Sequence, residues 1–172
     1  SASFAVPEKA FAIPMAHYIA HMESSGAQNY VDTLLADELF HTDLEYRKVA
    51  LQTLRQMILQ HPVDATLLTE VTQWVSERFG NKSARFRSSS NTEDLEQFNG
   101  AGLYESISAE LDDKDKPVDQ AMRTVWASLW NLRAVEERLN ANVDQTSVAM
   151  AILVHFAFPN ERANGVAVAR NI

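Results

Sequence analysis

Two arginines one residue apart, Arg85 and Arg87, stand directly ahead of a run of short polar side chains, Ser88-Ser89-Ser90-Asn91-Thr92. In extended backbone successive side chains point to opposite faces, so both guanidinium groups would share one face and Phe86 would occupy the other. A run so dense in hydroxyl and amide groups competes with its own backbone for hydrogen bonds. That predicts a turn or cap after Arg87 rather than a continuing strand. Farther on, Asn99-Gly100-Ala101-Gly102 carries two glycines, which tolerate positive φ and let main chain come close to a ligand. A cationic strand end, a hydroxyl-rich turn and a glycine pair are parts from which a polyphosphate cradle can be made. The same residue types also make a solvated loop or a helix N-cap, and paired arginines are common surface ion-pair partners.

Two other groups of residues invite a chemical reading. His17 and His21 lie one helical turn apart, a spacing that could hold zinc, but no third ligand accompanies them. No metal site is assigned, and packing or surface roles are expected for both. Trp126 and Trp130 could be mistaken for a stacking platform, yet they fall in phase with Val125 and Leu129 and read as core.

The elements that must position these residues are legible from apolar spacing. Residues 3–14, between two prolines, suit a short edge strand or extended lead-in. Met15 to Glu23 reads as a helix stopped near Gly26. From Tyr30 to Arg78 the chain is helical, with Val31, Leu34 and Leu35, then Val49, Ala50, Leu54, Met57 and Ile58, then Leu67, Leu68, Val71, Trp74 and Val75 at helical spacing. Pro62 and Gly80 close the last two segments. Such stripes face a core of their own, although a partner-binding helical module has the same pattern. Ser83 to Arg87 is a short strand, and Leu103 to Ser108 is a second that could pair with it. Asp112 to Lys116 is a solvated turn, and Pro117 opens one helix running from Val118 through Trp130 to Leu139. Ser147 to Phe158 is nearly continuous apolar sequence, as expected of a central buried strand, with a hairpin return at 165–169.

A length of 172 residues with 46% apolar and 22% charged residues suits one globular domain with a sizeable core. Without cysteine there are neither disulfides nor thiolate metal sites. No stretch approaches the ~18 apolar residues that span a bilayer, and nothing resembles a signal peptide, so a cytoplasmic location with no membrane partner is expected. A net charge of −8 argues against a nucleic-acid partner, so any anion site must be local.

The segment from Arg87 to Leu95, Arg-Ser-Ser-Ser-Asn-Thr-Glu-Asp-Leu, followed by Ala-Gly-Leu-Tyr-Glu-Ser at 101–106, resembles the signature of a nucleotide-binding domain. That domain is shared by phosphoenolpyruvate synthase, pyruvate phosphate dikinase and the α-glucan water dikinases. The lead-in from Val6 to Pro14 and the helix segment Val125–Val135 are also similar to that family, and the likeness covers roughly Val6 to the end. It implies an α+β fold, an ATP-grasp-type subdomain in which a helical scaffold (about 15–80) packs on a small, mostly antiparallel sheet, the nucleotide-facing part being about 83–172. It also implies that Arg87 meets ATP phosphates, that Gly102 and Ser106 help line the phosphate pocket, and that Val154, His155 and Phe156 pass the adenine.

The implied activity is that of a dikinase-type phosphotransferase using ATP and Mg²⁺. In the intact parent a histidine on another domain would be phosphorylated and would carry phosphate to pyruvate or a related acceptor. Several family segments are absent from this sequence: the glycine-rich segment with its ATP-contacting lysine, the second subdomain with its metal-binding carboxylate, and the phosphohistidine and acceptor domains. The expectation is therefore a single partial domain, 1–172, truncated at both ends and inactive by itself. None of the five histidines matches a phosphohistidine motif. The loop after Arg87 is one residue shorter than is usual in phosphoenolpyruvate synthases and closer to the glucan dikinases. A glucan-directed kinase and a parent that has lost catalysis and uses the domain for binding or regulation both stay open.

Overall fold

A run as apolar as Met150–Phe156 can be accommodated only where both of its edges are paired and one of its faces is covered. The computed structural model describes residues 9–80, 82–92, 94–95, 98–100 and 102–158. In it the strands are β1 (Phe11–Ile13), β2 (Ala84–Ser90), β3 (Asp94–Leu95), β4 (Phe98–Asn99), β5 (Ser106–Ala109) and β6 (Met150–Phe156). Four of them form an antiparallel sheet in the order β1-β6-β2-β5, and β3 pairs with β4 as a separate ribbon. The apolar run is thus an inner strand, paired with β2 over seven residues from Ala84↔Phe156 to Ser90↔Met150.

The helices are α1 (Met15–Ser24), α2 (Ala27–Ala36), α3 (Glu38–Thr42), α4 (Leu44–Gln60), α5 (Ala65–Phe79), α6 (Val118–Ser128) and α7 (Leu132–Asn140). Helices α3, α4 and α5 start at aspartate side-chain caps. The Asp43 carboxylate accepts from the Tyr46 N–H ahead of α4, and Asp64 accepts from Leu67 N–H ahead of α5, at 3.0 and 2.9 Å. At Gly80, which closes α5, φ is +62°, a conformation that glycine adopts without strain. Helix α6 lies against β2, β5 and β6, while α1 covers β6. Between them sit Ile13, Met22, Phe86, Met122, Val125, Trp126, Ile152 and Val154, each 1% exposed or less. The molecule is therefore an α+β fold with helices on one face of an antiparallel sheet.

Several expectations need correction. The serine run does not turn after Arg87, because β2 continues to Ser90 with Ser88, Ser89 and Ser90 paired to Ile152, Ala151 and Met150. Tertiary pairing with a strongly apolar neighbour outweighs the turn preference of isolated serines. The second strand begins at Ser106 rather than Leu103, and Leu103 is instead buried beside Ala134. Val49, placed on an apolar stripe, is exposed. The single long helix from Val118 to Leu139 is two helices. The N–H groups of Leu129, Trp130 and Asn131 turn to carbonyls three residues back, and Asn131 is extended, at φ −60° and ψ 136°. That break frees the Leu129 carbonyl, which accepts from Arg138 Nη1 at 2.9 Å. The expected hairpin return at 165–169 lies outside the described residues.

Arg138 is fully buried without a carboxylate partner among the described residues. Its Nε donates to Gln145 Oε1 at 2.9 Å, Nη1 also lies 3.4 Å from the Tyr104 hydroxyl, and Nη2 has no hydrogen-bond partner. The Trp130 ring stacks 5.7 Å from the guanidinium carbon, and Trp130 Nε1 donates to the Tyr18 hydroxyl at 2.9 Å. Burial pushes the guanidinium's pKa down, yet it stays charged, because arginine keeps its proton in proteins.

His21 is also interior, its Nε2 3.0 Å from the Ile58 carbonyl and its ring against Trp126 at 4.8 Å and His61 at 5.2 Å. Burial is the main reason that its pKa falls below the ordinary 6.5, with nearby His61 and Arg123 adding to it and the Ile58 carbonyl opposing. The neutral ring is the folded form, so its stabilisation is complete above pH 6.5 and is lost as pH falls from there through the lowered folded value. Urea melts across that window should show stability declining in the wild type and a flatter profile in His21→Gln. Parallel profiles would remove His21 from the acid response.

Candidate functional site

The described helices cover one face of the sheet, and alternation along the strands decides which side chains the other face presents. On β2, Ala84 and Phe86 turn inward while Arg85 and Arg87 project outward. On β5, Ala109 is buried while Ser106 and Ser108 face the arginines' side. On β6, Ile152 and Val154 are inside and Leu153 is 40% exposed. Register brings these residues together. Arg85 sits between Ser108 and His155, and Arg87 between Ser106 and Leu153.

The result is an open groove of about 730 Å³ lined by Arg85, Arg87, Ser106, Ser108, His155 and Phe158 among others. Arg85 Nη1 donates to Ser108 Oγ at 3.1 Å. Among the described residues Arg87 has neither a hydrogen bond nor an ion pair, and its side chain is exposed. Lys116, also at the wall, is committed elsewhere, with Nζ 2.9 Å from Glu110 and 3.4 Å from Asp113. Its pKa is raised by the hydrogen bond to Glu110, as expected for an ammonium already neutralised. Two guanidinium groups without carboxylate partners among the described residues, flanked by hydroxyls, fit a multiply charged oxyanion, to which arginine donates bidentately.

One end of the groove is aromatic. Phe158 is 52% exposed, with its ring 5.3 Å from Phe156 and 6.3 Å from His155. His155 Nδ1 contacts the Phe156 carbonyl at 2.7 Å, which fixes the ring over the sheet face. An exposed aromatic beside a buried imidazole can take a flat heterocycle. The other end of the groove is at Arg87 and Ser106; beyond it β2 continues outside the lining residues to Ser90, whose Oγ is 2.9 Å from Thr92 Oγ1 and accepts from the Thr92 N–H.

Of the residues singled out in the sequence, Arg87, Ser106 and His155 converge on this groove. Phe156 is not among the lining residues: on the same side of the strand as Val154, it packs half-buried against the core, with its ring 5.3 Å from Phe158 and Lys82 Nζ 5.4 Å above it. Val154 does not join them: it is fully buried on the helix side. Gly102 is not among the lining residues either. It has φ +76° at the turn closed by Leu103 N–H to the Gly100 carbonyl, where the backbone itself calls for glycine. Sequence reading missed Phe158, Glu110 and Lys116. The Ser106-Ile107-Ser108-Ala109 alternation carried the signal for β5, whereas nothing local showed that the 110–116 turn folds back to the same wall.

Among the described residues no cluster of three or more His, Asp or Glu side chains could hold a metal ion, and no helix is long and apolar enough to cross a membrane. Comparison with known proteins adds two findings. Residues 2–172 match the family described as "Pyruvate phosphate dikinase, AMP/ATP-binding domain". The chain is also similar to the phosphoenolpyruvate synthase of Aeropyrum pernix, with 25% identity over a match that covers 91% of this chain and 19% of that protein. It spans less than a fifth of that relative's length.

Proposed function

Because the chain belongs to the family of pyruvate phosphate dikinase AMP/ATP-binding domains, we propose that the groove on its open sheet face receives ATP for a dikinase-type phosphotransfer. The observation that carries this reading is the outward Arg87 beside Ser106, without a partner among the described residues. Arg87 binds phosphate oxygens and neutralises the charge that moves in the reaction, and the Ser106 hydroxyl donates to the same phosphates. Adenine lies at the aromatic end, against His155 and Phe158, while Val154, paired to Phe11 and Phe86 on an inner strand and buried, supports the sheet from its covered side. Gly102 acts by shaping the loop that leads into β5. Helices packed on one face of an antiparallel sheet are compatible with an ATP-grasp-type subdomain, and the uncovered face with a second wall supplied from elsewhere.

In the intact protein, phosphate passes from ATP to a histidine on another domain and then to an acceptor. The name of the Aeropyrum relative favours pyruvate over a glucan. No metal-holding cluster occurs among the described residues, so a Mg²⁺ ion would be held at this wall through the nucleotide's phosphates, where it would add to the charge neutralisation that Arg87 provides. Phosphoryl transfer needs positioning and charge neutralisation more than covalent help from the protein, and this wall supplies both.

The test is to incubate the intact protein with isotopically labelled ATP and Mg²⁺ and to look for label on histidine. Acid-labile label that passes to pyruvate is the expected result. Tight ATP binding without any label would leave a binding or regulatory domain in place of a phosphotransferase.

A further inference from the structure

Arg85 stands two residues before Arg87 on the same face of β2, and the nucleotide reading above gives it no task. A two-residue rise is about 6.7 Å, the length scale of a triphosphate tail and more than one phosphate group measures. The two guanidinium groups are also unlike in their surroundings. Arg85 lies at the aromatic end, between His155 and Ser108 and one residue from the Ala84↔Phe156 pair, whereas Arg87 is farther along toward Ser90. A nucleotide with its base against His155 and Phe158 therefore meets Arg85 first and Arg87 last.

Lys116 is the competing cation at that end. It is already neutralised by Glu110 and Asp113, and moving it onto a phosphate would strip charge from both carboxylates beside a new anion. Arg85 has the opposite standing: its described partner is the neutral Ser108 hydroxyl, which steers Nη1 and leaves the other guanidinium donors for a ligand. We infer that Arg85 is the anchor for the phosphate nearest the nucleoside, the group that AMP, ADP and ATP have in common, while Arg87 serves the distal phosphates. Recognition of the ribose-linked phosphate thus belongs to Arg85 with Ser108.

The assignment rests on the groove being the nucleotide site, and one titration series separates the two claims. Calorimetric binding of AMP, ADP and ATP would be measured for wild type, Arg85→Met, Arg87→Met, Ser108→Ala and Lys116→Met, each checked for a native melting profile. A charge-assisted bond to phosphate corresponds to about tenfold or more in affinity. Arg85→Met should weaken all three nucleotides by a similar factor of that size, and Ser108→Ala should do the same more mildly. Arg87→Met should weaken ATP far more than AMP, and Lys116→Met should change none of them more than about twofold. Unchanged AMP affinity in Arg85→Met, or a loss confined to ATP, would overturn the assignment while leaving the groove as the site. A wild type that binds no nucleotide, or an Arg87→Met variant as tight as wild type for ATP, would overturn both.

Discussion

An Arg87→Ala variant of the intact protein is expected to lose ATP-dependent phosphotransfer by about 10²–10³-fold, the usual effect of deleting one charge-stabilising donor. Its folding stability should stay within about 0.5 kcal/mol of wild type, as for surface substitutions away from special features. The two halves of this expectation come from one fact. The guanidinium projects from β2 into an open groove without a described partner, so removing it strands no buried group and empties no cavity. In the proposed ATP-bound state the same side chain faces the phosphates whose charge shifts during transfer. Arg87→Lys should recover only part of the loss, because an ammonium keeps the charge but not the planar two-pronged contact. The measurements are single-turnover phosphorylation and a urea melt on the same preparation. Turnover within a few-fold of wild type would detach Arg87 from the chemistry, and a large stability loss would mean that the side chain has a structural role.

Phe86→Ala should have the reverse profile, unfolding the protein more easily by about 3–5 kcal/mol, the range for truncating a buried aromatic. Phe86 lies between the two arginines on the opposite side of the strand, fully buried, in register with Ile107 and Val154. Helix α6 lies over this part of the sheet, so the ring has no room to be replaced by water. Beyond stability, the ring sets the strand's facing: a slip by one residue would put guanidinium groups in the core and Phe86 outside. Phe86→Leu, which keeps most of the volume, should cost less than about 1.5 kcal/mol and leave nucleotide affinity intact. Equal melting midpoints for Phe86→Ala and wild type would show that the ring is not what holds β2 in place.

That facing rule is also why so much of the site could be read from the sequence. Arg85, Phe86 and Arg87 alternate in a short strand, and the nearly continuous apolar run of 147–158 reads as a buried central strand, so the facing of the arginines and the inner place of β6 were legible, although the pairing of these two strands was not. The helical character of 15–80 was equally legible, from apolar stripes closed by Pro62 and Gly80, whereas the Asp43 and Asp64 caps that start α4 and α5 were not singled out. What local rules could not show were effects decided at long range. Ser88 to Ser90 have the composition of a turn but the pairing of a strand, because Ile152 to Met150 lie alongside. The helix break at Leu129–Asn131 has no proline or glycine to announce it. It accompanies a buried arginine nine residues on that takes the Leu129 carbonyl. Val154 was expected beside a ligand through family likeness, whereas strand alternation turns its side chain to the core and His155 to the groove.

Arg138 has a consequence for how ionic strength acts on this molecule. Dissolved salt shortens the reach of charges that stand in solvent, at about 10 Å for 0.1 M and less above it, and Arg85 and Arg87 in their open groove are within its grasp. A guanidinium sealed behind Trp130, Tyr104 and Gln145 gathers no such ionic cloud. As the exterior of this acidic chain falls electrically quiet in brine, the field of that one enclosed cation persists.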